Sequence, residues 1–228
     1  MPRAAARSAD RSDELSGEDG LTREAVLAAG VEIVAEEGFQ RLSMRRLASR
    51  LGVWPTAIYH YLPDRQQVGE AIADTIMSTV VTPPETVEPI EWLRAMAWDM
   101  RRVGLANPGL AAYLMEAGAT GPHGLALGDG IAARLHDLGH VGDELAQAYN
   151  LFLTWLTAAI GKTDRFMQRG GAEGVADTMA FMAALDVEEY PSLAAMQDGF
   201  LAMPEDPDSV FEWSLERMLR SLASTSTA

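Results

Sequence analysis

The sequence predicts an all-α protein, with a small N-terminal helical module followed by a larger helical domain. Three observations carry this prediction. Apolar residues recur three and four positions apart along most of the 228 residues, which is the spacing of one face of a helix. No stretch of useful length alternates apolar and polar residues with a period of two, as a half-buried strand would. Clusters of glycine and proline interrupt the helical pattern where helices would end.

The first helix is predicted from Thr22 to Glu37. Thr22 is a favourable N-cap residue, and the apolar residues after it form a broad stripe at helical spacing. Gly38 predicts a stop in the left-handed conformation, with Phe39 folding back on Val34.

Two short helices come next. Ser43 is the predicted cap of the second helix, which ends at Gly52 after about two turns. Pro55 suits the first turn of a third helix, which is very short and reaches about Tyr61.

A fourth helix is predicted from Asp64, which with Gln67 resembles a capping box, to about Val80. The helical period continues through the rest of the chain, with breaks at Gly, Pro and Asn clusters. The further predicted helices cover about 88–106, 109–117, 123–138, 143–165, 172–185, 191–202 and 207–222.

The charge of the chain is unevenly distributed. A formal net charge of -15 and a pI near 4.6 argue against a protein whose whole surface binds a polyanion. Five arginines nevertheless lie close together in a stretch whose only acid is Asp64. They are Arg41, Arg45, Arg46, Arg50 and Arg65. They predict a local basic patch of the kind that binds nucleic acid.

The composition excludes several other classes of protein. With 48% hydrophobic and 22% charged residues, the chain is neither wholly disordered nor fibrous. The absence of cysteine excludes a disulfide scaffold, a thiol nucleophile and a thiolate metal site. No apolar run approaches the roughly 18 residues that span a bilayer, and residues 1–19 lack the apolar segment of a secretory signal. We therefore expect no membrane partner and a cytoplasmic location.

The motifs that could indicate an enzyme or a metal site are incomplete. His136 and His140 have a metal-binding spacing, but Gly139 is expected to end the helix between them, so no metal is predicted. The segment Gly161-Lys162-Thr163 resembles the end of a phosphate-binding loop, yet Leu156 occupies the position of the required first glycine. Since no other catalytic motif is visible, we expect neither an enzyme nor a cofactor.

Residues 43–61 have the spacing of a helix-turn-helix motif. Ala48 is small where the second and third helices must approach each other, and Gly52 supplies the turn. Leu47, Val53 and Ile58 are expected to be buried. The side chains then left facing outward on the third helix are Trp54, Thr56, Ala57, His60 and Tyr61. In this motif the N-terminal end of the recognition helix, which is the third helix here, enters the major groove of DNA.

This stretch resembles the tetracycline-repressor (TetR) family of transcriptional regulators. The resemblance covers Leu21 to about Ile72, close to a quarter of the chain. It is carried by Glu37-Gly38-Phe39, Leu42-Ser43-Met44-Arg45, Leu47-Ala48, Leu51-Gly52-Val53, Ile58-Tyr59 and the basic Arg65.

The resemblance implies a DNA-binding role for ten residues. By position, base-reading falls to Arg45, Trp54, Pro55, Thr56, Ala57 and His60, and phosphate contact to Ser43, Tyr59, Tyr61 and Arg65. Many members have Lys in place of Arg65, and a hydroxyl or glycine in place of Ala57. The bulky Trp54 is unusual at the entry to the recognition helix, so the operator sequence does not follow from the resemblance.

The end of the chain resembles the last helix of the tetracycline-repressor-type C-terminal domain, over residues 210–219. The resemblance implies a homodimer built from the helices near 143–165 and 207–222 of each subunit. Both helices have wide apolar faces, formed by Leu145, Tyr149, Phe152, Leu153, Leu156, Ile160, Phe211, Leu215, Met218 and Leu222. A two-fold dimer predicts a palindromic operator on double-stranded DNA, with half-sites roughly 34 Å apart.

The family's habit also implies a pocket for a small-molecule effector in the C-terminal domain. Its candidate lining is Trp92, Met96, Met100, Tyr113, Met115, Trp155, Phe166 and Met182, although the same residues also suit a plain core. Tetracycline repressors bind drug-bound magnesium through a histidine near the end of the sixth helix. That neighbourhood here is Leu114-Met115-Glu116-Ala117, so tetracycline is not the expected ligand.

The predicted organisation has a flexible N-terminal arm at 1–20, a helix-turn-helix DNA-binding domain at 21–66 and a helical ligand-binding and dimerisation domain at 67–228. The predicted function is a ligand-responsive repressor that binds its operator as a dimer and is released by a small, largely apolar molecule. The alternatives are an activator of the same fold, a helical enzyme with a vestigial DNA-binding module, and a helical protein-interaction module without specific DNA binding.

Overall fold

The computed structural model describes residues 21–168, 170–171, 180–186, 188–196, 198–199 and 206–223. Every regular element in these residues is helical, as predicted. The predicted arm at 1–20 and most of the predicted helix at 172–185 lie outside the described residues. Among the described helices, none combines the length and apolar character of a membrane span.

The N-terminal module contains four helices. They are α1 (Arg23–Glu37), α2 (Met44–Leu51), α3 (Pro55–Tyr59) and α4 (Arg65–Met77), with a 3-10 turn (Phe39–Arg41) between the first two. Three predicted caps are present, because the side-chain oxygens of Thr22, Ser43 and Asp64 accept hydrogen bonds from backbone N–H groups three residues later.

The stop after α1 differs from the predicted left-handed cap. Gly38 has the expected positive φ of 88°, but its ψ of 157° lies outside the left-handed helical region. The reason is a contact with a distant part of the chain, since the N–H of Phe39 donates to the carbonyl of Pro108 at 2.7 Å. The ring of Phe39 stacks on Tyr113, with centroids 4.2 Å apart.

Two helices are shorter than predicted. The third ends at Tyr59 because the N–H groups of Tyr61 and Leu62 both turn back to the carbonyl of Ile58. The fourth ends at Met77, and the chain then leaves the helix so that the N–H of Val81 donates to the carboxylate of Asp99.

The C-terminal part adds α5 (Pro89–Ala106), α6 (Leu110–Ala117), α7 (Pro122–Asp137), α8 (Gly142–Gln168), α9 (Pro191–Ala194) and α10 (Pro207–Ala223). The helix predicted over 191–202 is interrupted, because α9 ends at Ala194 and a turn follows at Ala195 and Met196, although residues 198–199 are again helical. The end of α7 at Asp137 separates His136 from His140, whose buried ring lies with Nε2 2.9 Å from the carbonyl oxygen of Leu222. His140 therefore ties the start of α8 to the end of α10.

Two apolar cores hold the protein together. The first core unites α1 to α4 with Val103 of α5 and Leu110 of α6, and the second joins α5, α7, α8 and α10. Helix α4 contributes to both, because Ile72 belongs to the first core and Met77 to the second. The N-terminal module is therefore packed directly on the rest of the protein through α4.

Most of the apolar residues that the sequence analysis gives to a dimer interface lie inside the subunit. Phe152, Leu156, Ile160, Phe211, Leu215 and Leu222 are all at most 3% exposed in the single chain. The reason is that α8 and α10 pack on α5, α6 and α7 along the widest part of their apolar faces. The large apolar side chains left outward on these two helices include Leu151 and Trp213.

Candidate nucleic-acid interface and effector cleft

The helix-turn-helix is built as its sequence predicts. Gly52 ends α2 in the left-handed conformation, with φ 69° and ψ 26°, and Val53 donates to the carbonyl of Ala48. Leu47 and Ile58 are fully buried, whereas Val53, which was also expected to be buried, is only partly so because it lies in the turn at the edge of the first core. These contacts fix α3 against α2 and direct its other side chains away from the core.

None of the ten predicted DNA-binding residues is buried in the subunit. Arg45, Trp54, Thr56, Tyr59, His60, Tyr61 and Arg65 are exposed, and Ser43, Pro55 and Ala57 are partly exposed. Trp54 is 81% exposed at the start of α3, an unusual position for a large indole. The ten residues lie at the N-terminus of α2, along and around α3, and at the start of α4.

The arginines of this region divide into two groups. Nε of Arg46 donates to both carboxylate oxygens of Glu37, at 2.9 and 3.0 Å, and Arg50 pairs with Glu32 and Glu36 on α1. Arg45 and Arg65, in contrast, make no ion pair or hydrogen bond with any residue that the structure describes. Arg41, before α2, is likewise exposed and has no ion pair among these residues. Arg45 and Arg65, the two arginines assigned to DNA from the sequence, are therefore among the cations that remain available to an external anion.

Two predicted phosphate-contacting hydroxyls have internal roles. The hydroxyl of Tyr61 donates to the carbonyl of Leu21 at 2.6 Å, and Ser43 accepts from the N–H of Arg46 at 3.2 Å as the cap of α2. Each oxygen retains hydrogen-bonding capacity, since a hydroxyl has one donor and two acceptor sites. Neither is free to reorient fully.

The eight predicted effector-lining residues do not share one pocket. Trp92, Met96, Met100 and Met182 are buried, Tyr113, Trp155 and Phe166 are partly exposed, and Met115 is 58% exposed. Met96 and Met100 pack into the second core, as the plain-core alternative expects. Trp92 and Tyr113 line two separate clefts.

The cleft beside Trp92 has a volume of about 320 Å³ and lies where α4, α5 and α7 meet. Its lining includes Met77, Trp92, His123, Asp129, Gly130 and Arg134. The guanidinium of Arg134 lies 5.6 Å from the centre of the Trp92 indole and donates to the carbonyl of Glu85. Its Nε is buried and, among the described residues, has no hydrogen-bond partner. We call this the α7 cleft.

A carboxylate connects the α7 cleft to α4. Oδ1 of Asp74 accepts from the N–H groups of His123 and Gly124, at 2.8 and 3.0 Å, and Oδ2 lies 2.9 Å from the His123 ring. Asp74 thus acts as the N-terminal cap of α7, since Gly121 at the cap position has no side chain. The approach is so close that a Cβ on Gly121 would overlap the Asp74 carboxylate.

Comparison with known protein families decides the identity of this architecture. Residues 84–225 match the family described as "Tetracyclin repressor-like, C-terminal domain", and residues 26–72 match "Bacterial regulatory proteins, tetR family". The chain belongs to the TetR family. The predicted family and all-α fold are confirmed, and the protein is a DNA-binding transcriptional regulator rather than an enzyme.

Similar TetR-family proteins come from several bacteria. An HTH-type transcriptional regulator of Saccharopolyspora erythraea is 24% identical over 208 residues, 90% of this chain and 86% of that protein. The HTH-type transcriptional repressor DrrR1 of Streptomyces coeruleorubidus is 23% identical over 89% of this chain and 77% of its own. ActR of Streptomyces coelicolor, in complex with actinorhodin, has a TM-score of 0.79 at 24% identity, covering 92% of this chain and 100% of ActR.

Some features of this TetR-family protein were not predicted from the sequence. Asp74 and Arg134 are separated from their partners His123 and Trp92 by more than 40 residues, so no local pattern indicated either contact. The sequence does place Arg134 on the same face of the predicted helix as Gly130, four residues earlier. Both residues line the α7 cleft.

Proposed function

We propose that this protein is a homodimeric repressor that binds a palindromic operator through α2 and α3, and that a small, largely apolar molecule releases it. The observation that carries the proposal is the division of the arginines, which leaves Arg45 and Arg65 unpaired on the exposed face of the helix-turn-helix. Exposed, unpaired guanidinium groups are suited to base edges and phosphates. The repressor DrrR1 supports the proposed sign of regulation.

We propose residues 21–66 as the DNA-binding domain and residues 67–228 as the ligand-binding and dimerisation domain. The ten predicted DNA-binding residues all fall in the first of these segments. The proposed dimer forms through the outward faces of α8 and α10, including Leu151 and Trp213, because the inward faces are used by the subunit core. A two-fold axis there presents two copies of α3 to successive turns of DNA.

We propose the α7 cleft as the effector site. Its apolar wall and its one buried, unpartnered donor, Nε of Arg134 among the described residues, suit a largely apolar ligand with a hydrogen-bond acceptor. ActR, which shares the fold, is known in complex with actinorhodin, a small molecule. A ligand in this cleft would touch His123 and so act on the Asp74 contact with α4, which carries the DNA-binding domain.

The release of DNA follows as a shift between two populations. A ligand that fits one arrangement of α4 and α7 better than the other changes the separation of the two α3 helices in the dimer. A preference of about 3 kcal/mol changes the equilibrium by about a hundredfold.

The test is fluorescence anisotropy on the DNA upstream of the protein's own gene, with scrambled DNA of equal length as the competitor, over a series of salt concentrations. We expect specific binding by two subunits per site and a steep fall of affinity with salt. Arg45→Ala should weaken specific binding by about 1–3 kcal/mol. Arg50→Ala is the matched control on the same helix, and should have a smaller effect because Arg50 is already paired with α1.

Two results would contradict the proposal. Equal losses for Arg45→Ala and Arg50→Ala would mean that the ion pairs with α1 do not decide which arginine meets DNA. The second result is no preference for the upstream DNA over scrambled DNA, together with no preferred sequence in a genome-wide selection of DNA fragments. The helix-turn-helix would then serve as a protein-interaction module, and Arg45→Ala would leave partner binding intact.

A further inference from the structure

A second cleft lies between the N-terminal module and α6. It has a volume of about 250 Å³, and its apolar wall includes Phe39, Leu42 and Val68. Its polar groups include Arg65, Tyr113 and Glu116. It differs from the α7 cleft in every lining residue, and we call it the junction cleft.

Tyr113 is the unusual residue of the junction cleft. Its ring is held by stacking on Phe39, with 4.2 Å between centroids and 25° between planes. Its hydroxyl is buried and has no hydrogen-bond partner among the residues that the structure describes. Since buried hydroxyls almost always have a partner, an unpaired one beside a cleft indicates a group that is missing from the protein alone.

The absence of a side chain at Gly69 leaves room for the hydroxyl of Tyr113. A Cβ built on Gly69 would lie 3.0 Å from Oη, closer than side chains normally approach, so glycine is the residue that permits this position. Burial raises the pKa of Tyr113, and the carboxylates of Glu70 and Glu116 raise it further. The phenol therefore stays protonated at neutral pH and offers a hydrogen-bond donor.

The charges of the cleft define the ligand. The guanidinium of Arg65 and the carboxylate of Glu116 balance each other, so the lining as a whole favours a neutral molecule. The phenol of Tyr113 requires an acceptor, and Glu116 accepts from an N–H donor. The apolar wall suits a flat ring, and the volume lies below the roughly 300 Å³ at which pockets for drug-sized ligands begin.

We propose that the junction cleft is a binding site for a small, neutral aromatic carboxamide or lactam. Its ring lies on the wall of Phe39, Leu42 and Val68, its carbonyl accepts from Tyr113, and its N–H donates to Glu116. The site goes beyond the proposed effector function, because it is separate from the α7 cleft. It lies beside Ser43 and Arg65, two of the residues assigned to the phosphate backbone.

The test uses benzamide as the probe and ligand-observed NMR titration of the full chain as the measurement. A neutral molecule of this size should bind with a Kd of about 1 mM. Tyr113→Phe keeps the ring and removes the hydroxyl, and should weaken binding about fivefold through the lost hydrogen bond. Benzoate should bind more weakly than benzamide, because it has no N–H to donate to Glu116 and its charge must be desolvated against a lining of no net charge.

Two tryptophan variants locate the probe. Ala112→Trp fills the junction cleft, and Ala126→Trp fills the α7 cleft; both alanines are exposed on a helix, so the two changes are matched in chemistry. We expect benzamide binding to be lost in Ala112→Trp and unchanged in Ala126→Trp. Thermal unfolding of each variant checks that the fold is kept.

Two results would overturn the proposal. One is the absence of benzamide binding to the wild-type protein up to about ten times the expected Kd. The other is binding that survives both Ala112→Trp and Tyr113→Phe, or that is lost in Ala126→Trp alone, which would place the probe in the α7 cleft. Operator binding, measured on the same samples, tests the repressor proposal independently of either result.

Discussion

A close approach between α1 and α4 makes Gly30 a sensitive position. Gly30 is buried in the middle of α1, where glycine is an unfavourable helix residue. A Cβ built there would overlap Cδ1 of Ile72 and would lie 2.7 Å from Cγ1 of Ile72 and 3.6 Å from Cδ2 of Leu47. Both neighbours are fully buried, so neither can move outward to make room. We expect Gly30→Ala to destabilise the protein.

The size of the effect is the difference between two opposing contributions. Replacing a mid-helix glycine by alanine gains about 1 kcal/mol of helix propensity. Overpacking a well-packed core costs about 1–3 kcal/mol. The net loss is therefore up to about 2 kcal/mol, and the melting temperature of a protein of this size falls by about 2–4 °C for each kcal/mol.

A second substitution separates the clash from every other effect. Ile72→Val removes the Cδ1 methyl, which is the nearer of the two obstructing atoms, and alone costs about 0.5–1.5 kcal/mol. In the double variant the added methyl occupies part of the space that Cδ1 leaves. The double variant should then be more stable than the sum of the two single effects by at least about 1 kcal/mol.

The assay is urea unfolding at one fixed protein concentration, because a dimer's apparent stability depends on concentration. The matched control is Gly161→Ala in α8, where the nearest atom to an added Cβ is Cβ of Ala111 at an ordinary 3.8 Å. That substitution should stabilise the protein by about 0.5–1 kcal/mol. The reasoning fails if Gly30→Ala stabilises the protein as its control does. It also fails if the effects of Gly30→Ala and Ile72→Val on the free energy of unfolding are additive within about 0.5 kcal/mol.

Three other contacts give predictions. Arg101 is 2% exposed and pairs with Asp208 at 2.7 Å; in urea unfolding, Arg101→Met should cost less than Asp208→Ala, which strands a buried charge at a cost of about 1–3 kcal/mol. The guanidinium of Arg102, which donates to Asp99, lowers the pKa of the Asp99 carboxyl. Asp99 therefore contributes stability above its unfolded pKa of about 3.9, and the difference in melting temperature between wild type and Asp99→Asn should shrink as pH falls below about 4. Asp74→Ala removes the cap of α7, and should cost about 0.5–2 kcal/mol and speed amide exchange at His123.

The parts of the fold that sequence reasoning predicted well are those fixed by short-range chemistry. The caps at Thr22, Ser43 and Asp64 each depend on one side chain and a backbone N–H three residues away, so the sequence contains both partners. The same holds for the turn at Gly52, whose positive φ is a local requirement. Most predicted helix boundaries followed from such signals.

The parts that it missed depend on contacts between distant residues. Gly38 departs from a left-handed cap because Pro108 accepts the next N–H along the chain. The predicted effector residues Met96 and Met115 both looked suitable by type, yet one is fully buried and the other 58% exposed. Helical spacing shows which residues share a face, but not which neighbouring helix covers that face.

The arginines of α2 show why net charge is a poor guide to the function of this chain. Arg45, Arg46 and Arg50 carry the same charge on one short helix, and the chain as a whole is strongly acidic. Three glutamates of α1 neutralise Arg46 and Arg50. What remains on the face of α2 and α3 is the unpaired Arg45, with Arg65 at the start of α4. An acidic protein can thus present a locally positive face to DNA, because its excess negative charge lies elsewhere.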